Sequence, residues 1–298
     1  MTDRSLGRSR AARRSALPLA LALAAGGAGV DGQEIRWTGM ASYSRGSYVF
    51  DAPTQTVSLS TGLGLSWGRL DVSASLPFLL QNSQLVSQVA GVPLPTGGAD
   101  HGVLGRRQPG ETVGTGRQAG VGGGGTPTTQ VTYRDDFAWA LGDPFLSGSA
   151  RLYEGSGVLR SVLAQVSTKA PLRGLDSGVG TGEWDVGAGG SAFAALGTTY
   201  AFVDLAYWWY GDLPELELGD GPSYGVGLSR AVGSRVSLMA SFFGAASPIG
   251  SMDSPASVGL GASYIPRLGR SFSAGMAIGL TEASPDVSIY AGWSVRTR

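Results

Sequence analysis

Between residues 57 and 78 the chain alternates apolar side chains with small or polar ones almost without a break. Val57, Leu59, Leu63, Leu65 and Trp67 interleave with Ser58, Ser60, Gly62, Gly64 and Ser66. After Gly68-Arg69 the pattern resumes, with Leu70, Val72, Ala74, Leu76 and Phe78 set against Asp71, Ser73 and Ser75. A period of two puts successive side chains on opposite faces of an extended strand. This stretch therefore reads as a hairpin with a tight turn, one apolar face and one small, polar face. A helix needs a period near 3.6, and no sustained run of that kind, nor any apolar run long enough for a membrane helix, follows residue 32.

The same alternation recurs in segments led by Leu146, Val162, Trp184, Ala201, Tyr224, Val236, Val258, Phe272 and Val287, each interleaved with Gly, Ser or another small residue. With Ile35–Ser47 the total is about twelve strands. Short turns at 68–69, 154–157, 197–198, 233–234 and 266–270 alternate with longer connections near 48–53, 80–136, 171–183, 211–221, 246–255 and 282–286. Short turns at one end, long loops at the other and an even strand number together predict an all-β fold. It is a transmembrane antiparallel up-and-down β-barrel with both termini periplasmic. Aromatic residues near strand ends, such as Tyr207-Trp208-Trp209-Tyr210, Phe242-Phe243 and Trp67, fit interfacial girdles. A soluble β-sandwich would bury the same alternating faces but does not predict strict alternation of connection lengths.

Composition supports export into lipid. Charged residues are 15% of the chain, glycines number 49 and cysteine is absent, which removes disulfides and thiolate chemistry from consideration. Arg4, Arg8, Arg10, Arg13 and Arg14 precede the apolar stretch 16–30, as in a secretory signal peptide, with a cut expected between Gly32 and Gln33. The 22 basic and 22 acidic groups lose five arginines and two aspartates with residues 1–32, leaving 17 and 20 and a net charge of −3. No basic face for nucleic acid follows from that balance. The expected organisation is a cleaved signal over 1–32 and an outer-membrane barrel over 33–298. Residues 80–136, rich in Gly and carrying Pro93, Pro95, Pro109, Pro127 and Gly122–Gly125, form a long external loop, largely disordered, or a plug folded inward.

Leu141-Gly142-Asp143-Pro144 leading into Ser147–Tyr153, then Val166–Pro171, then Gly180-Thr181-Gly182-Glu183-Trp184-Asp185, make residues 140–298 resemble the "meta-pathway of phenol degradation" transporter family of outer-membrane proteins. The resemblance implies an outer-membrane barrel that passes hydrophobic or aromatic compounds. The chain departs from that pattern where Pro144 follows the aspartate and where Ala170-Pro171-Leu172 replaces a Pro-Thr-Gly turn. It also ends in Trp293–Arg298 rather than in the terminal aromatic residue read by the barrel-assembly machinery.

Six polar residues have the parity of a barrel lumen: Asp71, Arg151, Gln165, Lys169, Asp185 and Asp204. They are the candidates for a solute path, either as a selectivity zone or as a network that satisfies itself. Their lumen-facing neighbours are mostly Ser and Gly, which predicts internal space. The leading reading is a pore or transporter for small, hydrophobic or aromatic solutes, with outer-membrane lipid, the solute and the assembly machinery as partners. A structural or surface-interaction barrel with a sealed lumen is the alternative, and an outer-membrane hydrolase ranks third. No catalytic residues are expected: His101 is the only histidine and reads as a solvated loop residue, and the carboxylate pairs Asp135-Asp136 and Glu183/Asp185 read as solvated strand ends or ion sites. Without Cys and with a single His, no metal or other cofactor is expected.

Overall fold

The structure, a computed structural model, describes residues 33–108, 110–116, 130–132, 136–172, 179–213 and 216–297; the expected signal peptide, Gly122–Gly125 and Asp135 lie outside them. Among the described residues, twelve long antiparallel strands form one closed barrel. They are β1 (Glu34–Gly46), β2 (Thr54–Trp67), β3 (Leu70–Gln81), β4 (Phe145–Glu154), β5 (Leu159–Lys169) and β6 (Asp185–Leu196). The second half is β7 (Thr199–Trp209), β8 (Gly221–Val232), β9 (Val236–Ala245), β10 (Ala256–Arg267), β11 (Arg270–Gly279) and β12 (Val287–Thr297). Each strand pairs with its neighbours in sequence, and β12 returns to β1 with Ala291 opposite Ala41. Closure gives every strand two partners and leaves no edge.

Strands of 10 to 14 residues are long enough to cross the hydrocarbon core at a tilt. The alternation read from the sequence resolves into an inside and an outside. On the outside stand Leu63, Leu205, Leu228, Leu260 and Ile289, each more than half exposed. Such a wall is a liability in water and a favourable surface in hydrocarbon. Turns of two residues join β2 to β3 and β6 to β7, where Gly68 (φ 59) and Gly197 (φ 67) take left-handed backbone angles open to glycine at little cost.

Many of the small residues are seats for rings rather than empty space. Inside, Gly187 lies directly opposite Trp208, Gly227 opposite Phe202 and Gly275 opposite Tyr290. A Cβ on any of these glycines would come within 2.8 Å of the facing ring, so each ring lies flat over its partner's backbone. Outside, Trp293 covers Gly39 in the same way. The internal space expected from small side chains is thus partly filled by the aromatics across from them.

The apolar core sits across the end of the barrel that carries the long loops. The connection after β3 contributes Leu85, Val89, Leu94, Leu104, Val113 and Val131, and the other loops add Val49, Phe50, Leu213, Leu216, Leu218, Ile249, Met252 and Ala283. Full burial of a Leu or Val side chain contributes roughly 1.5–3 kcal/mol, so this cluster gives the loop a fixed conformation. The expectation of a largely disordered external loop is therefore corrected over residues 82–108, which are folded and run inward as a plug. Within them a short hairpin pairs Ser87–Val89 with Val92–Leu94. A Cβ at Gly91, in its turn, would stand 3.3 Å from the ring of Phe145, a residue that faces the lumen.

The inside–outside assignment is tested by charge. Leu260→Arg, on the outer wall near mid-strand, should cost about 2–4 kcal/mol of stability in lipid vesicles. Ser263→Arg, facing the lumen on the same strand, should cost distinctly less when both are followed by denaturant unfolding. Equal costs would contradict the assignment.

Candidate functional site: the inner face and its plug

The structure distributes the six lumen candidates over three levels, and only one pair of them bonds directly. At the loop end, the first residue of β6, Asp185, lies opposite the last residue of β5, Lys169. Both are buried, and Lys169 Nζ is 3.1 Å from Asp185 Oδ2. A second carboxylate, Asp143 Oδ2, approaches Lys169 Nζ to 3.5 Å, and the ammonium also donates to Thr181 Oγ1. An isolated ammonium in such a place would be expensive, and two carboxylates and a hydroxyl offset that desolvation.

Asp143 was not among the candidates because it lies outside the alternation, in a bulge. Ser75 pairs with Phe145 and Phe78 with Leu141, so Gly142, Asp143 and Pro144 oppose only Leu76 and Pro77. In a strand a residue's N–H and C=O point to the same side. Pro77 accepts from the Gly142 N–H at 2.8 Å, so the amide hydrogen that proline lacks would have faced this bulge. A bulge re-aims a side chain, and here it carries Asp143 to the lysine. The signal in the sequence was the Gly-Asp-Pro run itself, which breaks the strand pattern on both sides of a charge.

The ionic cluster holds the plug. Asp185 Oδ2 accepts the Ala90 N–H at 2.8 Å, and its Oδ1 accepts the Gly211 N–H at 3.2 Å. Lys169 Nζ reaches the Gln88 carbonyl at 3.5 Å, and Asp143 Oδ1 accepts the Leu172 N–H at 2.9 Å. The hairpin from Ser87 to Leu94 is thereby fastened at its turn, where Ala90 (φ 48) and Gly91 (φ 80) have the two positive angles of a tight hairpin turn. A left-handed alanine costs on the order of 1–3 kcal/mol, and the bond from its N–H to a buried carboxylate offsets that strain.

On another side of the mouth Arg107 performs the same task. Its guanidinium makes two 2.9 Å bonds to the carboxylate of Glu282, in the β11–β12 loop, and a 2.7 Å bond to the Ser251 carbonyl, in the β9–β10 loop. This two-pronged geometry fixes direction as well as distance. Arg107 and Glu282 are 175 positions apart, and no local pattern joins them.

The remaining candidates lie elsewhere. Gln165 and Asp204 line a cavity of about 250 Å3 beneath the hairpin, where Asp204 accepts from Ser191 Oγ. Asp71 accepts from Ser66 Oγ near the turn end. Arg151 pairs with Glu154 at 3.1 Å, both substantially solvated; such an exposed pair contributes little. The six candidates are thus found as one buried anchor, Lys169 with Asp185, two residues beside one mid-lumen cavity, Gln165 and Asp204, and two separate residues at the turn end, Asp71 and Arg151.

Two further readings change. His101 is buried in the plug rather than solvated, with its Nδ1 3.0 Å from the Gly98 carbonyl. Glu183 and Asp185 do not act as a pair: Glu183 is exposed, and Asp185 is committed to Lys169. Among the described residues no group of three or more His, Asp or Glu side chains could hold a metal. At the loop end of β7, burial and then the charges of Asp185 and Asp220 push the Tyr210 phenol up, so its hydroxyl stays protonated and remains a donor.

The sequence matches no protein-family model and no curated protein. The COG4313 outer membrane channel from Pseudomonas putida F1 superposes on the chain with a TM-score of 0.60 at 12% identity, covering 90% of this chain and 97% of that one. The KdgM porin superposes more loosely, with a TM-score of 0.44 at 6% identity over 88% and 98% of the two chains. The translocator domain of the autotransporter NalP from Neisseria meningitidis reaches 0.45 at 10% identity over 93% and 92%. The first of these superpositions shows a shared outer-membrane barrel fold.

Removing one member of the buried cluster tests its role as an anchor. Asp185→Ala leaves Lys169 without its nearer partner, a loss of about 3–5 kcal/mol for a buried pair. It should speed hydrogen exchange at the Ala90 amide and open residues 82–108 to protease. Exchange at the wild-type rate would show that the hairpin is held by something else.

Proposed function

We propose that the protein is an outer-membrane channel for small solutes, with its turn end toward the periplasm and its loop end closed over by the plug. The observation that carries this reading is the asymmetry of the lumen. At the loop end it is capped by a folded segment fastened by two ionic clamps, Lys169 with Asp143 and Asp185 on one side and Arg107 with Glu282 on another. Further in, the wall is mostly Ser and Gly, with the rings of Phe202, Trp208 and Tyr290 laid over glycines. A lumen meant only to hold a barrel together could be filled outright with side chains. Instead, a cavity persists beneath the hairpin.

The solute class we infer is small and hydrophobic or aromatic. The rings that lie over the inner wall, Phe145, Trp208 and Phe202, support it. So does the resemblance of residues 140–298 to the transporter family associated with phenol degradation. The sealed, surface-interacting barrel retains one point in its favour, the continuous apolar cluster across the mouth. A lipolytic role has no support from His101, whose ring contact is a backbone carbonyl rather than a carboxylate or a hydroxyl.

Planar-bilayer recording separates the first two readings. The wild type should show small or infrequent openings, and Lys169→Ala or replacement of residues 85–130 by a short Gly-Ser linker should raise conductance several-fold. Absence of current from all three proteins, once folded barrels are verified by heat-modifiable migration, would favour the sealed barrel.

A further inference from the structure

The cavity beneath the hairpin has a chemistry of its own. Its roof is apolar, made by Val89, Val92 and Leu94 of the plug, and its walls include Trp208 and Phe243. Trp208 is itself braced, edge-on to Phe145 at 6.2 Å and stacked with Tyr210 at 6.4 Å. A ring held on two sides is a pre-organised surface, and a solute that lies against it orders little else on binding.

The lining also takes in Gln165, Tyr210 and Ser223 and a single carboxylate, Asp204. Asp204 accepts a hydrogen bond from Ser191, and no basic side chain among the described residues forms an ion pair with it. Lys169, on the neighbouring wall, is already shared by Asp143 and Asp185. A partly buried carboxylate that accepts from a single hydroxyl among the described residues retains lone pairs for further donors, and it repels anions. Aromatic faces add attraction for a cation over the ring.

Volume narrows the occupant. A dry cavity of roughly 150 Å3 accepts benzene, whereas sites for larger ligands start at about 300 Å3. At about 250 Å3 the chamber seats one ring with a short substituent, and a longer molecule would extend from it into the lumen.

We propose that this chamber is a solute subsite for a single-ring or similarly small apolar molecule bearing one hydrogen-bond donor, best of all an ammonium. The ring packs between Trp208 and the hairpin, and the donor faces Asp204. This proposal rests on the channel reading and deepens it, because the roof of the subsite is the same hairpin that Lys169 and Asp185 fasten. A molecule seated there fills the space under the plug, so occupancy and plug position are coupled.

Calorimetric binding to the purified, detergent-folded full chain tests the subsite without depending on current. Benzylamine, toluene and benzoate are matched in size and differ in the head group. Benzylamine should bind about tenfold or more tightly than toluene, since a hydrogen bond to a charged group is the difference between them, and benzoate should not bind. Asp204→Asn preserves shape and the Ser191 contact, and should bring benzylamine down to the level of toluene. Trp208→Ala should weaken both. Equal affinity for benzylamine and benzoate, or an Asp204→Asn protein that binds benzylamine as the wild type does, would overturn the proposal. Head-group-selective binding in a protein that never conducts would leave the subsite standing and reject the channel, whereas conduction without such binding would do the reverse.

Discussion

A strand in hydrocarbon has no water to satisfy its N–H and C=O groups, so each must find a partner in another strand. Nearly everything else in this protein follows from that constraint. It requires the last strand to return to the first, as β12 does on β1 across eleven paired positions from Ile35 to Arg45. It also frees the outer face from any need for polar groups, so that face can be wholly apolar. Closure costs the molecule a conventional interior, because a ring of twelve strands encloses a wall of alternating side chains rather than two packed layers.

The core therefore lies elsewhere, and its position gives the molecule its polarity. Loops from five connections meet across one end and bury an apolar cluster there, while the other end carries only tight turns. The cluster alone is non-directional. Direction comes from the buried charges: Lys169 between two aspartates and Arg107 on Glu282 fix where the plug sits against the wall. Hydrophobic burial keeps the loop in, and the ion pairs specify the register in which it is held. The chamber with Asp204 is what remains between that register and the aromatic rings below.

The twelve strands were legible because their information is local. Alternation shows within ten residues, and a two-residue turn is marked by its glycine, as at Gly68 and Gly197. The lumen parity of Lys169 and Asp185 followed from the same counting. Asp143 was missed since counting stops at a bulge, and the bulge is visible only from the opposing strand, where two residues face three. The plug has no such local signature, since Leu85, Val89, Leu94 and Leu104 follow no period among their glycines and prolines. The burial of His101 is hidden for the same reason: nothing beside it in sequence covers it.

By itself the sequence determined the barrel, its strand number, and which side chains face in and out, because strand geometry converts a period of two directly into two faces. It did not determine what the inward face meets. Several glycines that suggested open space lie opposite aromatic residues on the next strand, the polar residues with lumen parity lie at three depths, and residues 82–108 turn inward onto the outermost of them. Those outcomes depend on pairs separated by tens to hundreds of residues, such as Ala90 with Asp185, or Arg107 with Glu282. Only a closed ring of strands with a core at one end brings such pairs together.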